Sequence, residues 1–221
     1  IIRDGKELEF ELTRRTVLTN PIAEEVLENN IGYLEVSSFD QGTADEFKKK
    51  FEDLQTKGIT SLIIDLRNNG GGLVSEALGI ADYIAQKGET LLITVDKDNK
   101  EEITKSKKDP IVNMPVVILV NENSASASEI LSGALKELNK ATIVGTKTYG
   151  KGVIQQIVTL TDGSGLKLTI EEYFTPNKNK INNVGIEPNE VIELPESVEN
   201  VLFLEREDDT QLDKAIEILK K

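Results

Sequence analysis

The chain of 221 residues contains no histidine, no cysteine and no tryptophan, and it has a single methionine. Without histidine there is no Ser-His-Asp or Cys-His catalytic arrangement and no zinc site ligated by imidazole. Without cysteine there are no disulfides and no thiol chemistry, and this absence is compatible with either redox compartment. Any general base must therefore be a lysine, an aspartate, a glutamate or a tyrosine.

Positive charge is also scarce, since 26 Lys and Arg residues face 39 Asp and Glu residues and the formal net charge is −13. Nucleic-acid binding neutralises phosphates with clustered Lys and Arg, so this balance argues against a nucleic-acid partner. The longest wholly apolar run is far shorter than the roughly 20 residues of a membrane-spanning helix. The length and the apolar content of 38% predict one large globular domain, or a core with an appendage.

Sequence patterns divide the chain into four segments. Residues 1–18 contain Asp4-Gly5 between two apolar runs, the second of them alternating, which indicates a hairpin at the end of a sheet. Residues 19–30 are interpreted as a linker with a short helix over Ile22–Leu27. Residues 31–194 form the core, and residues 195–221 an acidic loop and an amphipathic terminal helix.

The core alternates between strand and helix patterns. The predicted strands cover residues 31–39, 61–66, 90–95, 101–105, 116–120, 142–144, 153–160 and 166–173, and the predicted helices cover residues 43–57, 73–86 and 130–138. Residues 43–46 fit a capping box that opens the first helix, and Gly58 ends it. Alternation over residues 31–140 predicts an α/β fold with a mixed, largely parallel sheet and right-handed crossovers, followed by a β-rich part.

The segment Asn121-Glu-Asn-Ser-Ala-Ser-Ala-Ser-Glu-Ile130 lies between a buried-strand pattern and a helix pattern. Small side chains at a helix N-terminus let a substrate approach backbone N–H groups that have no partner inside the helix. A serine there has its hydroxyl beside oxyanion donors, as acyl-transfer chemistry requires. The residues Ser126-Ala-Ser-Glu129 also fit a capping box, and the spacing alone leaves both interpretations open.

A second small-residue segment, Asp65-Leu-Arg-Asn-Asn-Gly-Gly-Gly72, follows a buried strand and precedes a helix. Consecutive glycines permit unusual φ values and close backbone approach. One interpretation is a tight left-handed turn that packs strand against helix. The other is a backbone N–H from Gly71 or Gly72 directed at a ligand oxygen. Parallel sheets bind ligands at the carboxyl ends of their strands, where this loop and the Ser126 loop would both lie.

A third segment, Val144-Gly-Thr-Lys-Thr-Tyr-Gly-Lys-Gly-Val-Ile-Gln-Gln156, nearly spells a phosphate-binding loop. That motif requires Ser or Thr after its lysine and a helix beyond it, whereas here Gly152 and a strand pattern follow, so nucleotide binding is disfavoured. Lys151 between two glycines is a candidate base, because desolvation lowers a lysine pKa from its ordinary value of about 10.4. Gln155 lies about 13 Å further on in a regular strand, so a contact requires that the glycines bend the chain or that the Lys151 side chain lies back along it.

These three segments, in their order and separation, resemble the carboxyl-terminal processing (tail-specific) serine peptidases over about residues 31–188. The resemblance implies a crotonase- or Clp-like peptidase core. It implies that Ser126, and not Ser124 or Ser128, is the nucleophile. The base and the residue that orients it would be Lys151 and Gln155, and the oxyanion donors would be the N–H groups of Ala127 and of Gly72, or alternatively Gly71.

The resemblance further implies an endopeptidase that acts near the carboxyl termini of protein or peptide substrates with accessible tails. No cofactor and no metal is expected, self-association is left open, and an extracytoplasmic location is expected from the family. Family members usually carry a PDZ domain, and residues 1–18 resemble only its terminal strands, without the carboxylate-binding loop. Two alternatives remain: a catalytically silent peptide-binding or scaffold module, and a crotonase-like acyl-CoA enzyme.

Overall fold

The computed structural model describes residues 1–3, 5–13, 20–195, 197–198 and 204–220. The strands are β1 (Ile2–Arg3), β2 (Lys6–Glu7), β3 (Ile22–Leu27), β4 (Ile31–Val36), β5 (Ser61–Asp65), β6 (Thr90–Asp96), β7 (Glu101–Lys105), β8 (Val116–Val120), β9 (Thr142–Gly145), β10 (Val153–Thr159), β11 (Gly165–Phe174) and β12 (Glu190–Val191). The helices are α1 (Thr43–Thr56), α2 (Val74–Asp82), α3 (Ala127–Glu137) and α4 (Thr210–Leu219).

The central sheet has six strands in the order β12-β9-β8-β5-β4-β3. All neighbours pair in parallel except β3, which runs antiparallel to β4. A second sheet has the order β10-β11-β6-β7 and is antiparallel throughout. The predicted largely parallel core sheet and the β-rich part that follows it are both confirmed.

Helices cover both faces of the central sheet, which explains why its inner strands are apolar without alternation. On β5, Leu62 and Ile64 pack into the cluster formed with α1, α2 and α3, whereas Ile63 packs against α4. The strand β8 alternates in the same way, and all five of its residues are buried. Burying a side chain of this size stabilises the fold by about 1.5–3 kcal/mol.

The predicted short helix over Ile22–Leu27 is wrong, because these residues form the edge strand β3. The segment pairs with β4 from Ile22↔Val36 to Leu27↔Ile31. Asn29 and Asn30 between the strands both have positive φ, which asparagine tolerates better than most residues. The Asn-Asn pair is a turn signal that the sequence contains after this segment.

The helix α1 begins at Thr43, but the capping box predicted there is wrong. Gly42 is the N-cap residue, and the Thr43 hydroxyl donates to the Asp40 carbonyl at 2.8 Å. The Ala44 N–H donates to Glu76 Oε2 of α2 at 2.8 Å. A residue from another helix therefore accepts one of the N–H groups that have no partner inside α1.

The helix α2 ends at Asp82, earlier than the predicted limit of residue 86. The carbonyl of Tyr83 accepts hydrogen bonds from the N–H groups of Ile111 and Val112, which divert the chain from further helical turns.

The predicted N-terminal hairpin is confirmed in a short form, with the pairs Ile2↔Glu7 and Arg3↔Lys6. Asp4 lies outside the described residues, as do residues 14–19 and part of the predicted acidic loop. The assignment of this hairpin to a PDZ-like domain, and the domain boundaries, stay predictions. None of the described helices combines the length and the apolar character needed to cross a membrane.

A buried ionic network joins α4 to the central sheet. Arg67 follows β5 and contacts Asp65 at 2.6 Å and Asp209 at 2.8 Å, and all three side chains are at most 8% exposed. Burial opposes the charge of Arg67, but the carboxylates of Asp65 and Asp209 raise the pKa of its guanidinium. Asp209 also caps α4 by accepting the Leu212 N–H at 2.9 Å.

We expect Asp209→Ala to lower the free energy of unfolding by about 3–5 kcal/mol, because it leaves the buried Arg67 without one of its carboxylates. Asp213→Ala is the matched control on the same helix, since Asp213 pairs with Arg206 in an exposed ion pair at 2.7 Å. That pair is worth at most about 1 kcal/mol. Urea denaturation gives the free energy of unfolding of both variants. Equally small losses in the two would contradict the structural importance of this network.

Candidate active site

Three loops meet at the carboxyl edge of the central sheet, because they follow the neighbouring parallel strands β5, β8 and β9. Backbone hydrogen bonds join them directly. The Ala125 N–H donates to the Asn69 carbonyl at 3.0 Å, and the Tyr149 N–H donates to the Ser124 carbonyl at 3.0 Å. The three small-residue segments found in the sequence are therefore one structural unit.

Ser126 occupies the N-cap position of α3 with φ 58° and ψ −113°. This conformation is sparsely populated for residues with a Cβ and costs about 1–3 kcal/mol. A sharp, strained turn between a strand and a helix is how α/β-hydrolases expose a nucleophilic serine. Ser126 is half-buried, at the tip of the helix.

The serines on either side of Ser126 have structural contacts instead. Ser124 is fully buried, and its hydroxyl donates to the Leu66 carbonyl at 2.7 Å. Ser128 is also fully buried, and its hydroxyl donates to the Asn69 carbonyl at 2.9 Å. Both hydroxyls hold the glycine-rich loop, residues 65–72, in place. Ser126 is therefore the accessible serine of the three.

The glycine-rich loop brings further backbone N–H groups next to Ser126. The Gly71 N–H donates to Asn69 Oδ1 at 2.8 Å, so it already has an acceptor. The N–H groups of Gly72 and Ala127 have no acceptor among the residues that the structure describes. A Cβ placed on Gly71 would lie 2.8 Å from the Cβ of Ser126 and 3.1 Å from the Ala127 nitrogen, which shows how closely the loop approaches the helix tip.

The carboxylate of Glu129, in the first turn of α3, is fully buried and connects the loop that contains Ser126 to the loop that contains Lys151. Its Oε2 accepts the N–H groups of Ser126 and Lys151, both at 2.8 Å. Its Oε1 accepts the Thr148 hydroxyl and the Gly150 N–H, both at 2.6 Å. The backbones of Ser126 and Lys151 therefore lie side by side. The hydrogen bond from the Ser126 N–H to the Glu129 carboxylate is one of the two hydrogen bonds of the predicted capping box.

Lys151 is half-buried, and the structure brings its backbone, rather than its amine, into contact with the site. Its carbonyl accepts a hydrogen bond from the hydroxyl of Tyr173. Within the described part of the chain, the Lys151 amine makes no hydrogen bond or ion pair. Gln155 is exposed on β10 and likewise makes no side-chain hydrogen bond to a described residue, so the structure does not join it to Lys151.

Sequence reasoning considered Glu129 only as a helix cap and did not identify Tyr173, Thr148 or Asn69. The available signal for Glu129 was a charged residue in an otherwise small and apolar helix start, where burial requires partners. Tyr173 had no local signal, because it reaches the site from a strand in the second sheet.

A strained serine at a helix tip, beside backbone N–H groups without acceptors, is the arrangement of enzymes that transfer acyl groups through a serine. Residues 30–192 match the model of peptidase family S41. The chain therefore belongs to peptidase family S41.

Individual relatives agree with this assignment. The chain is 36% identical over 211 residues to the carboxyl-terminal-processing protease of Picosynechococcus sp., covering 94% of this chain and 50% of that protein. It is 34% identical over 209 residues to the chloroplastic C-terminal processing peptidase of Tetradesmus obliquus, covering 87% and 45%. A solved structure of the photosystem II D1 C-terminal processing protease superposes with a TM-score of 0.73 at 33% identity, covering 83% of this chain and 52% of that one.

These comparisons confirm both the predicted family resemblance and the predicted fold class. The chain spans about half the length of these curated relatives.

We expect Gly71→Ala to lower the free energy of unfolding more than Gly163→Ala does, although both glycines have positive φ. At Gly163 no atom lies within 4 Å of an added Cβ, so the cost is the left-handed conformation alone, about 1–2 kcal/mol. At Gly71 the Cβ would collide with Ser126 and with the Ala125 carbonyl oxygen, which adds about 1–3 kcal/mol. Urea denaturation gives the free energy of unfolding of both variants. Equal losses would mean that the loop does not pack closely against Ser126.

Proposed function

We propose that this chain carries the catalytic part of a serine endopeptidase that cleaves protein substrates near their carboxyl termini. The observation that carries the proposal is the positive-φ backbone of Ser126 at the tip of α3, beside two N–H groups that lack acceptors among the described residues. The names of the relatives, which are C-terminal processing proteases, support the substrate class. Family membership favours this activity over acyl-CoA chemistry.

In the proposed mechanism, the unprotonated amine of Lys151 takes the hydroxyl proton of Ser126 while Oγ forms a bond to the scissile carbonyl carbon. The oxyanion accepts hydrogen bonds from the N–H groups of Ala127 and Gly72. When the intermediate collapses, the C–N bond breaks, Lys151 returns the proton to the leaving amine, and an acyl ester remains on Ser126. A water molecule then gives a proton to Lys151 and attacks the ester. The C–O bond to Ser126 breaks, Lys151 passes the proton to Ser126 Oγ, and the new carboxyl terminus is released.

We assign Gly72 rather than Gly71 as the second oxyanion donor, because the Gly71 N–H is already bonded to Asn69. For Gln155 to orient the Lys151 amine, as proposed, its side chain must turn from solvent toward the lysine. The pairing of β10 with β11 shifts register between Ile154 and Gln155. Such bulges redirect side chains and are frequent beside active sites, which supports this role.

The proposed substrate is an extended chain with an accessible carboxyl-terminal tail. The strand β10 begins two residues after Lys151 and is the outer strand of its sheet. An extended peptide can add to such an edge through backbone hydrogen bonds. By resemblance to the family, we also propose that the protein works outside the cytoplasm.

Ser126→Ala should lower cleavage of a tailed peptide by about three orders of magnitude or more, because the nucleophile is lost. A fluorophosphonate should add one label to the wild-type protein, at Ser126, located by mass spectrometry of its peptides. The proposal would be contradicted if the wild-type chain is folded by circular dichroism but neither cleaves the peptide nor is labelled by the fluorophosphonate.

Lys151→Met should lower the labelling rate by a factor of about 10²–10⁴, the usual contribution of a general base. Lys147→Met is the matched control in the same loop, since Lys147 is exposed and faces Glu187 at 3.8 Å. Lys147→Met should keep the wild-type labelling rate. Equal rates in the two variants would contradict the assignment of Lys151 as the base.

A further inference from the structure

Tyr173, on β11, is the largest side chain that is fully buried among the described residues. It packs in a small apolar cluster with Leu92, Ile130, Ile181 and Ile186, which joins the second sheet to α3. A tyrosine buried this deeply needs a partner for its hydroxyl. Its hydroxyl lies at the candidate active site rather than in the apolar cluster.

Two groups of Tyr173 hold the chain immediately around the proposed base. The hydroxyl donates to the carbonyl of Lys151, and the backbone N–H donates to the carbonyl of Gly152 at 3.0 Å. Because one rigid aromatic residue makes both bonds, it fixes two successive carbonyl groups, those of Lys151 and Gly152.

Glu129 holds the two preceding peptide groups, through the N–H groups of Gly150 and Lys151. Lys151 therefore has its N–H bonded to one buried side chain and its carbonyl bonded to another. The glycines on either side would otherwise leave the segment loosely defined, since glycine restricts the backbone least. Gly150 does adopt positive φ, 89°.

Burial raises the pKa of the Tyr173 phenol, and the charge of Glu129 raises it further. The phenol thus stays protonated and can donate to the Lys151 carbonyl.

We propose that Tyr173 is a positioning residue of the peptidase site: its hydroxyl and its backbone N–H fix the backbone of Lys151 and Gly152. This inference rests on the proposed function, because it assigns Tyr173 a role through the proposed base. Tyr173 does not exchange protons with the substrate. It holds the backbone that carries the proposed base.

Tyr173→Phe removes one oxygen and keeps the ring in its apolar cluster, so the variant should fold. The kcat for a tailed peptide should fall about ten- to a hundred-fold with KM nearly unchanged, because small misplacements of positioned groups carry penalties of that size. The rate of fluorophosphonate labelling at Ser126 should fall by a similar factor. A kcat and a labelling rate within two-fold of wild type would overturn the inference.

Tyr83→Phe is the matched control, since Tyr83 is also buried, at 6% exposure, but lies at the end of α2 beside Lys108. It should leave kcat, KM and the labelling rate unchanged. An equal loss of kcat in both variants would mean that removing any buried phenol is enough, and it would count against the inference.

A second readout does not depend on activity. Hydrogen exchange of the Lys151 amide should become about ten-fold faster in Tyr173→Phe, and unchanged in Tyr83→Phe, because Lys151 loses the hydrogen bond that anchors its carbonyl. Unchanged exchange at Lys151 would overturn the inference even in an active enzyme. Faster exchange in a chain that neither labels nor cleaves would refute the proposed peptidase function, and with it the role in catalysis, while leaving the anchoring contact supported.

Discussion

The site depends on one buried carboxylate, Glu129, which accepts hydrogen bonds from two loops at once. A carboxylate removed from water is strongly unfavourable unless donors surround it, and here four donors do so. Those donors come from the Ser126 backbone and from the loop that contains Lys151. The energetic need of the carboxylate for partners therefore holds nucleophile and base segments together, with no direct bond between their side chains.

This arrangement also explains how the strain at Ser126 persists. An unfavourable backbone conformation survives only where its surroundings over-determine it. Ser124 and Ser128 bond to the glycine-rich loop on either side, and the Ser126 N–H is held by Glu129. The central sheet places these loops at one edge, and the Arg67 network secures the strand that begins the glycine-rich loop.

Much of the fold could be predicted because local signals agreed with the tertiary arrangement. The apolar runs of β5 and β8 are short and continuous because helices cover both faces of the sheet, and α1 carries Phe47 and Phe51 on one face. The prediction failed at Ile22–Leu27, where helical spacing and strand pairing compete over only six residues and long-range pairing with β4 decides. The start of α1 was located, but its cap comes from Glu76, which no local pattern contains.

By itself, the sequence determined the chemistry that was available and the family. The absence of histidine and cysteine restricts the base and the nucleophile, and three spaced segments identify the loops. Only the tertiary structure decided which serine is accessible, which glycine N–H is already bonded, and that Tyr173 and Glu129 enclose the Lys151 backbone. The physical reason is that hydrogen-bond partners and burial depend on residues distant in sequence, whereas composition and spacing are local properties that the chain carries before it folds.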